Sequence, residues 1–294
     1  MMRILRTSKI LEGNLLRIVL SLQYRILKFY EEREEKGMIG REHRISIATL
    51  TDYHLQDFIR CPYQFYYFHI EGKITTQSDW RKMVQVVVNQ VVSRYYKLPP
   101  RSQTTKKVLE FIDDHWSAIE VRQFESKIHY YKALANITDH LLQCLTTERI
   151  ENPPLFLYEK FNMNMDELGT ELSLTFEVAE WSGNSFIIKK YLVDTDEEMN
   201  LLFNNMISVF CEKAFGQLPE RIEIYSLMEG KKETFIPTKK DVSGGLEYLN
   251  MIKNLLQEPK KYLKTDSLAV CKSCSNQKRC YEGININQER YNSQ

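Results

Sequence analysis

The hydrophobic pattern first changes its period at Pro153-Pro154, and that change limits the fold more than any other feature. Before it, apolar residues recur at three- and four-residue steps, the mark of helices with one buried face. Leu15, Val19, Leu22, Ile26 and Phe29 define a helix over 12–35, and Gly37 to Arg44 reads as a linker. Thr51 or Asp52 caps a helix through Leu55, Phe58 and Ile59 to Cys61. Trp80 to Tyr96 and Lys106 to His115 follow as helices, and Ser117 to Thr147 as a long helical stretch broken at most once. After the two prolines the period becomes two. Leu155 to Met163, Glu171 to Trp181 and Ser185 to Val193 read as strands, the last two joined by a tight turn at Gly183-Asn184. Asp194 and Asp196 cap a helix to Phe215 that Gly216 stops. Arg221 to Met228 and Glu233 to Pro237 are further strands joined at Glu229-Gly230, and Leu246 to Leu256 is a helix. Helices followed by strands interleaved with helices predict a mixed α/β (α+β) fold, a short mixed sheet flanked by helices.

The composition excludes several classes. Among 294 residues, 17 Tyr, 14 Phe and 3 Trp supply a large core, which argues against disorder, and only 11 Gly and 8 Pro argue against a turn-rich β-sandwich. With 40 Lys and Arg against 39 Asp and Glu, the net charge of +1 excludes a bulk polycation but leaves room for a local basic groove. The most apolar run, Ile10 to Leu22, is interrupted by Glu12, Asn14 and Arg17, too short and too polar to span a bilayer. No small-residue cleavage site follows it, so a cytoplasmic location is expected.

Three of the six cysteines cluster as Cys271-x2-Cys274-x5-Cys280, and Cys61 stands alone after a helix, beside Pro62. In a reducing compartment such spacing favours metal over disulfides. With Cys61 as fourth ligand, four thiolates suit either a structural Zn²⁺ or a [4Fe–4S] cluster and would staple the two ends of the chain together.

Thr51-x-Tyr53-x-Leu55, then Phe58-x-x-Cys61-Pro62-Tyr63-x-Phe65-Tyr66, resembles the opening motif of RecB/AddB-type nucleases in the PD-(D/E)XK superfamily, which includes CRISPR-associated iron–sulfur exonucleases. The late cysteine triplet and the order of elements from about Thr51 to Cys280 match it as well. The resemblance implies a restriction-endonuclease-like core. It implies a [4Fe–4S] cluster on Cys61, Cys271, Cys274 and Cys280 in a C-terminal subdomain. It also implies carboxylates for Mg²⁺ or Mn²⁺ with a lysine beside them. The units expected are 1–47, a helical arm and linker, and 48–294, the nuclease-like module. The module divides into a helical part (48–154), a sheet core (155–257) and a cysteine tail (258–294).

Carried over position by position, that catalytic set is incomplete. Asn89 stands where the family's metal-binding His falls. Glu159 fits the Glu that opens the sheet, and Glu177 stands at the metal-binding Asp. The strand that should end in a carboxylate-x-Lys pattern reads Ile188-Lys189-Lys190-Tyr191-Leu192, so a lysine intrudes in place of an anion. Phe203 and Ile207 occupy the positions of a Gln and a Tyr. Glu159, Glu177 and Lys190 are what remains of a catalytic set, and Asp194, Asp196, Glu197 and Glu198 read as helix-capping acids.

The arm (1–47) carries ten Lys and Arg against six Asp and Glu, and the tail (253–294) eight against four, each locally +4. Lys189, Lys190, Lys272, Lys278 and Arg279 are the candidate DNA contacts. The expectation is a catalytically degenerate RecB/AddB-like module that binds DNA or a DNA-processing partner. Because the chain has no P-loop, a helicase would be a separate protein. Two other readings stay open: an active metal-dependent DNA nuclease using Glu159, Glu177 and Lys190, and a structural metal-cluster protein that serves assembly.

Overall fold

The structure is a computed structural model that describes residues 46–72, 79–147 and 153–272, together with Cys274, Gln277 and Cys280. The helix expected over 12–35 and the linker after it lie outside the described residues.

The helical part holds α1 (Asp52–Arg60), a short α2 (Pro62–Phe65) that continues into a π-helical turn (Tyr66–Ile70), α3 (Trp80–Tyr96), α4 (Thr105–Trp116) and α5 (Lys127–Thr146). Each long helix begins where a side chain meets its first free amides. Thr51 accepts from His54 N, Asp79 from Arg81 N, Thr104 from Lys107 N and Ser126 from His129 N. The stretch expected to be helical from Ser117 starts only at Lys127, because Ser126 supplies the cap and 117–126 is a turn around Val121–Gln123.

Six strands follow in one sheet: β1 (Thr49–Thr51), β2 (Phe156–Met165), β3 (Thr170–Ser182), β4 (Ser185–Leu192), β5 (Arg221–Ser226) and β6 (Lys231–Phe235). Between β4 and β5 runs α6 (Glu197–Phe215), capped by Asp196 and ended by Gly216 at φ 66°. After β6 come α7 (Lys239–Leu256) and α8 (Leu268–Lys272). The sequence pattern started α7 seven residues late, because Gly244 and Gly245 look like breakers. Here a capping box of Thr238 and Asp241 starts the helix. Gly245 lets α7 lie close on α6, since a Cβ there would meet Val209 Cγ2 at 2.8 Å. The strand β1 carries no periodic signal in three residues and was not legible in advance.

The long strand β3 organises the sheet. Along one edge it pairs antiparallel with β2 from Thr170 to Ala179. Its other edge is shared: β1 runs parallel to Glu171–Ser173, and β4 runs antiparallel to Val178–Ser182. The sheet then continues through β5, parallel to β4, to β6. Between β1 and β4, residues 174–177 of β3 have no strand on that edge, and side chains meet the exposed amides. Asp52 Oδ2 accepts from Thr175 N at 3.1 Å, while its Oδ1 accepts from Tyr53 N.

Two apolar cores flank the sheet. On one face α1, α6 and α7 pack Leu55, Phe203, Phe210 and Leu249 against Leu174, Phe176 and Ile188. On the other, α3, α4 and α5 pack Val88, Ile112 and Leu141 against Val178, Tyr191 and Tyr225. Asp52→Ala leaves two amides without their acceptor and is expected to cost ~1–3 kcal/mol of folding stability, measured by urea denaturation. Asp52→Asn, which keeps one acceptor oxygen, is expected to cost less.

Candidate functional site

Strict alternation puts residues two apart on the same face of a strand, yet Phe176 and Ala179, three apart, belong to the same core. The slip falls at Glu177. Across the ladder, Tyr158 sits in register with it and adopts φ 53°, a backbone conformation that costs an aromatic residue ~1–3 kcal/mol. At this rung β3 and β4 part: their pairing ends at Val178 with Lys189, and Glu177 Oε2 instead accepts from Tyr191 N at 2.7 Å. The next amides of β4 are met from α3. Gln85 donates to Tyr191 O at 2.7 Å and accepts from Val193 N at 2.9 Å. One turn on, Asn89 Oδ1 accepts from Gln85 Nε2 at 2.9 Å, with Tyr158 OH at 3.5 Å. Burial and the nearby Glu177 carboxylate push the Tyr158 phenol well above its usual pKa, so it stays protonated.

Glu177 and Lys190 therefore do come together, but as an ion pair at 2.9 Å that is closed to solvent, with Lys190 2% and Glu177 7% exposed. The Lys190 ammonium lies 4.4 Å from the centre of the Phe203 ring, and Phe203 and Ile207 are core residues of α6. Glu159 is exposed one rung away and does not join the pair. Lys189, 4% exposed, turns to the other face and pairs with Glu180 at 2.8 Å. Lys189 and Lys190, expected as DNA contacts, both have their ammonium groups buried against carboxylates. Asp196 caps α6 as expected, and Asp194 is held by Arg60 at 3.1 Å and Arg81 at 2.5 Å. The participants missed at the sequence level are Gln85, Tyr158 and Tyr191. Only Gln85, one helical turn before Asn89, carried a positional hint.

The cysteine end is built by α1. It delivers Cys61 into a buried position before Pro62, and the tail folds back onto it. Tyr262 packs edge-on against Phe58, Phe65 and Tyr66. Lys264 lies 5.4 Å over the Tyr63 ring and donates to Cys280 O at 2.9 Å. Burial, then the nearby Cys61 and Cys280 thiols, raise the Cys271 pKa. Cys274 N donates to Cys271 O, and Cys274 lines a cleft of about 730 Å³ with Pro62, Arg60, Arg81 and Lys264. None of the six cysteines is in a disulfide. Among the described residues, no three His, Cys, Asp or Glu side chains close on one point as metal ligands. Cys144 and Cys211 are core thiols that burial pushes up, Cys144 to about 12. Lys278 and Arg279 lie outside the described residues, as does the side chain of Lys272. Among the described residues, no helix is long and apolar enough to cross a membrane.

No family model and no curated protein matches the sequence. Among solved structures, the chain is similar to a presumed exonuclease from Eubacterium rectale, with a TM-score of 0.41 and 9% identity over 72% of this chain and 81% of the other. That degree of likeness does not assign a function.

Two outcomes follow from this geometry. Glu177→Ala strands a buried ammonium and is expected to destabilise the fold by ~3–5 kcal/mol, whereas Glu177→Leu with Lys190→Met is expected to recover most of that loss. Chemical denaturation of both variants checks it. The second outcome concerns His54, whose ring lies 4.8 Å from that of His69. Burial and then His69 hold its pKa below the ordinary 6.5, with Lys160 acting the same way and Asp57 and Asp52 opposing. The unfolded chain then takes up the proton first. The contribution of His54 to stability is present above about pH 6.5 and is lost as the pH falls through its folded value. Thermal melting between about pH 7.5 and 5.5 is expected to show the loss, and His54→Gln to remove it.

Proposed function

We propose that this chain is a catalytically degenerate nuclease-fold protein of the RecB/AddB type. In this reading it carries a [4Fe–4S] cluster and binds DNA or a DNA-processing partner without cutting. The observation that carries the reading is the Glu177–Lys190 pair. Where a nuclease of this type needs carboxylates open to a hydrated cation, the carboxylate is spent on a buried ammonium and a backbone amide. Mg²⁺ wants near-octahedral oxygen ligands and gives up its water reluctantly. Glu159, exposed and apart, does not complete such a set.

For the cluster, the support is the donor chemistry and the nearness of Cys61 and Cys280 to Cys271. Four reduced thiols are the ligands such a cluster requires, and Cys61 and Cys271, far apart in sequence, lie within electrostatic reach of each other. Cys61, Cys271, Cys274 and Cys280 would hold it, and bound there it would serve as a staple between α1 and the tail. The DNA- or partner-binding surface in this reading is the cysteine end. Lys264 and Lys261 stand at the cleft, and Lys272, Lys278 and Arg279 follow in the tail.

Anaerobically purified protein is expected to be brown with about four irons per chain, and Cys61→Ala to lose iron and melting temperature together. Linear single- or double-stranded DNA is expected to survive Mg²⁺ or Mn²⁺. Cleavage by the native chain that disappears in Glu177→Gln would overturn the degenerate reading in favour of an active nuclease. Binding to DNA is expected to weaken steeply with salt, and replacing Lys272, Lys278 and Arg279 by Ala to flatten that dependence.

A further inference from the structure

The cleft of about 730 Å³ beside the cysteine end has an apolar floor. Ile59 of α1, Met199 of α6, Leu255 of α7, and Leu263 and Val270 of the tail line it. Met199 is buried, but Ile59, Leu255, Leu263 and Val270 are only half-buried, so apolar surface from three segments of the chain stays open along one groove. Open apolar surface gathered in this way marks a place where another element or molecule sits.

One wall of the cleft is acidic. It is built where α3 and α6 begin, and it carries Asp79, Asp194, Asp196 and Glu197. Arg60 and Arg81 stand beside them, but both bind the one carboxylate of Asp194. Asp79 and Asp196 cap their helices by accepting from Arg81 N and Met199 N. Neither they nor Glu197 forms an ion pair among the described residues. On the tail side, Lys261 pairs with Glu258 and Lys264 leans over the Tyr63 ring. The occupant that fits has an apolar face flanked by cations.

This chain supplies such a segment. Over 12–35 the sequence pattern calls for a helix with Leu15, Val19, Leu22, Ile26 and Phe29 along one stripe, and an isolated helix of that length holds only when its apolar stripe is covered. At about 100° per residue, Arg25 falls at the margin of the stripe. Residues 1–30 carry Arg3, Arg6, Lys9, Arg17, Arg25 and Lys28 against the single Glu12. The residues after Cys280 carry Glu282 and Glu289 against Arg290, the wrong sign for an acidic wall.

The described chain also begins in the right place. Thr170 Oγ1 donates to Ile47 O at 2.9 Å and to Ala48 O at 2.8 Å, which fixes that start beside β3. Nearby, Leu168 O accepts from Lys253 of α7, the helix that carries Leu255 into the cleft. Residues 30–45, which join Phe29 to this point, span up to ~50 Å when extended.

We propose that the N-terminal arm docks in this cleft of its own chain, with the Leu15–Phe29 stripe on the apolar floor and its cations along the acidic wall. The docking rests on neither the cluster nor DNA binding, and a ligand that uses the cleft would compete with the arm.

Photo-crosslinking of the full chain tests it. Benzoylphenylalanine is placed at Leu255 in one variant and at Leu263 in another, and mass spectrometry of the digested monomer band locates the attached peptide. Crosslinks from both positions to peptides within 12–30 are expected. The same probe at Trp181, exposed at the opposite end of β4 from Asp194, is expected to give none. Leu22→Asp with Ile26→Asp, which sets two carboxylates on the stripe, is expected to lower the cleft crosslinks at least about tenfold. Circular dichroism verifies that each variant is folded, and the crosslink map with the native arm decides the matter even where the aspartate variant is not. Crosslinks from the cleft to 281–294, crosslinks only between two copies, no crosslink at all, or a yield that the two aspartates leave unchanged would overturn the proposal.

Discussion

A strand edge left open in the middle of the sheet sets the terms for everything around it. Residues 174–177 of β3 lie between β1 and β4 with no strand beside them on that edge. Unpaired amides in a protein interior must be met or the structure loses free energy at each one. Asp52 meets Thr175, Glu177 meets Tyr191, and Gln85 meets Tyr191 and Val193. Each of these side chains brings a helix or a strand to one fixed position. The anion Glu177 then needs its own partner, which explains a lysine in the core beside an aromatic ring. A buried pair of this kind gives little net stability compared with apolar residues of the same size. Its presence, with a strained Tyr158 opposite, marks a place where the chain accepts local cost.

The helix α1 connects that opening to the cysteine end. Its first residue closes the gap in the sheet, and the residue after its last is Cys61. Midway, Asp57 accepts from Lys82 at 3.1 Å and lies 2.9 Å from His69 Nε2. Burial alone would raise the Asp57 pKa, but His69 and Lys82 outweigh it and hold the group below the ordinary carboxylate value. The helix is therefore tied at both ends and in the middle, to β3, to α3 and the π-helical turn, and to the returning tail. A rigid α1 is what brings Cys61 and Cys271 near each other across more than two hundred residues of chain.

The two faces of the sheet treat charge differently. On the α6 side a single carboxylate and a single ammonium cancel in a closed pocket. On the α5 side Tyr96, Glu180, Lys189, Tyr191, Tyr225 and Glu223 form a longer network, with the Tyr191 and Tyr225 rings stacked 5.0 Å apart. That network reaches solvent through Arg221, which also pairs with Glu220, and through Lys232.

The order of elements was written in the sequence, because period, caps and breakers are local. Trp80–Tyr96 as α3, the Gly183-Asn184 turn, the Asp196 cap and the Gly216 stop all depend on neighbours within a few residues. The cysteine spacing was legible for the same reason. What only the tertiary structure decided is the state of the charged residues. A lysine written Ile188-Lys189-Lys190 looks like a surface cation, and nothing local says that both neighbours are buried against Glu180 and Glu177. The Glu177–Lys190 contact arises because the strands part at one rung, and that parting depends on where β1 and β4 each end along β3. Both ends are set by packing across the whole sheet, so the fate of Lys190 is a long-range property that no window of sequence contains.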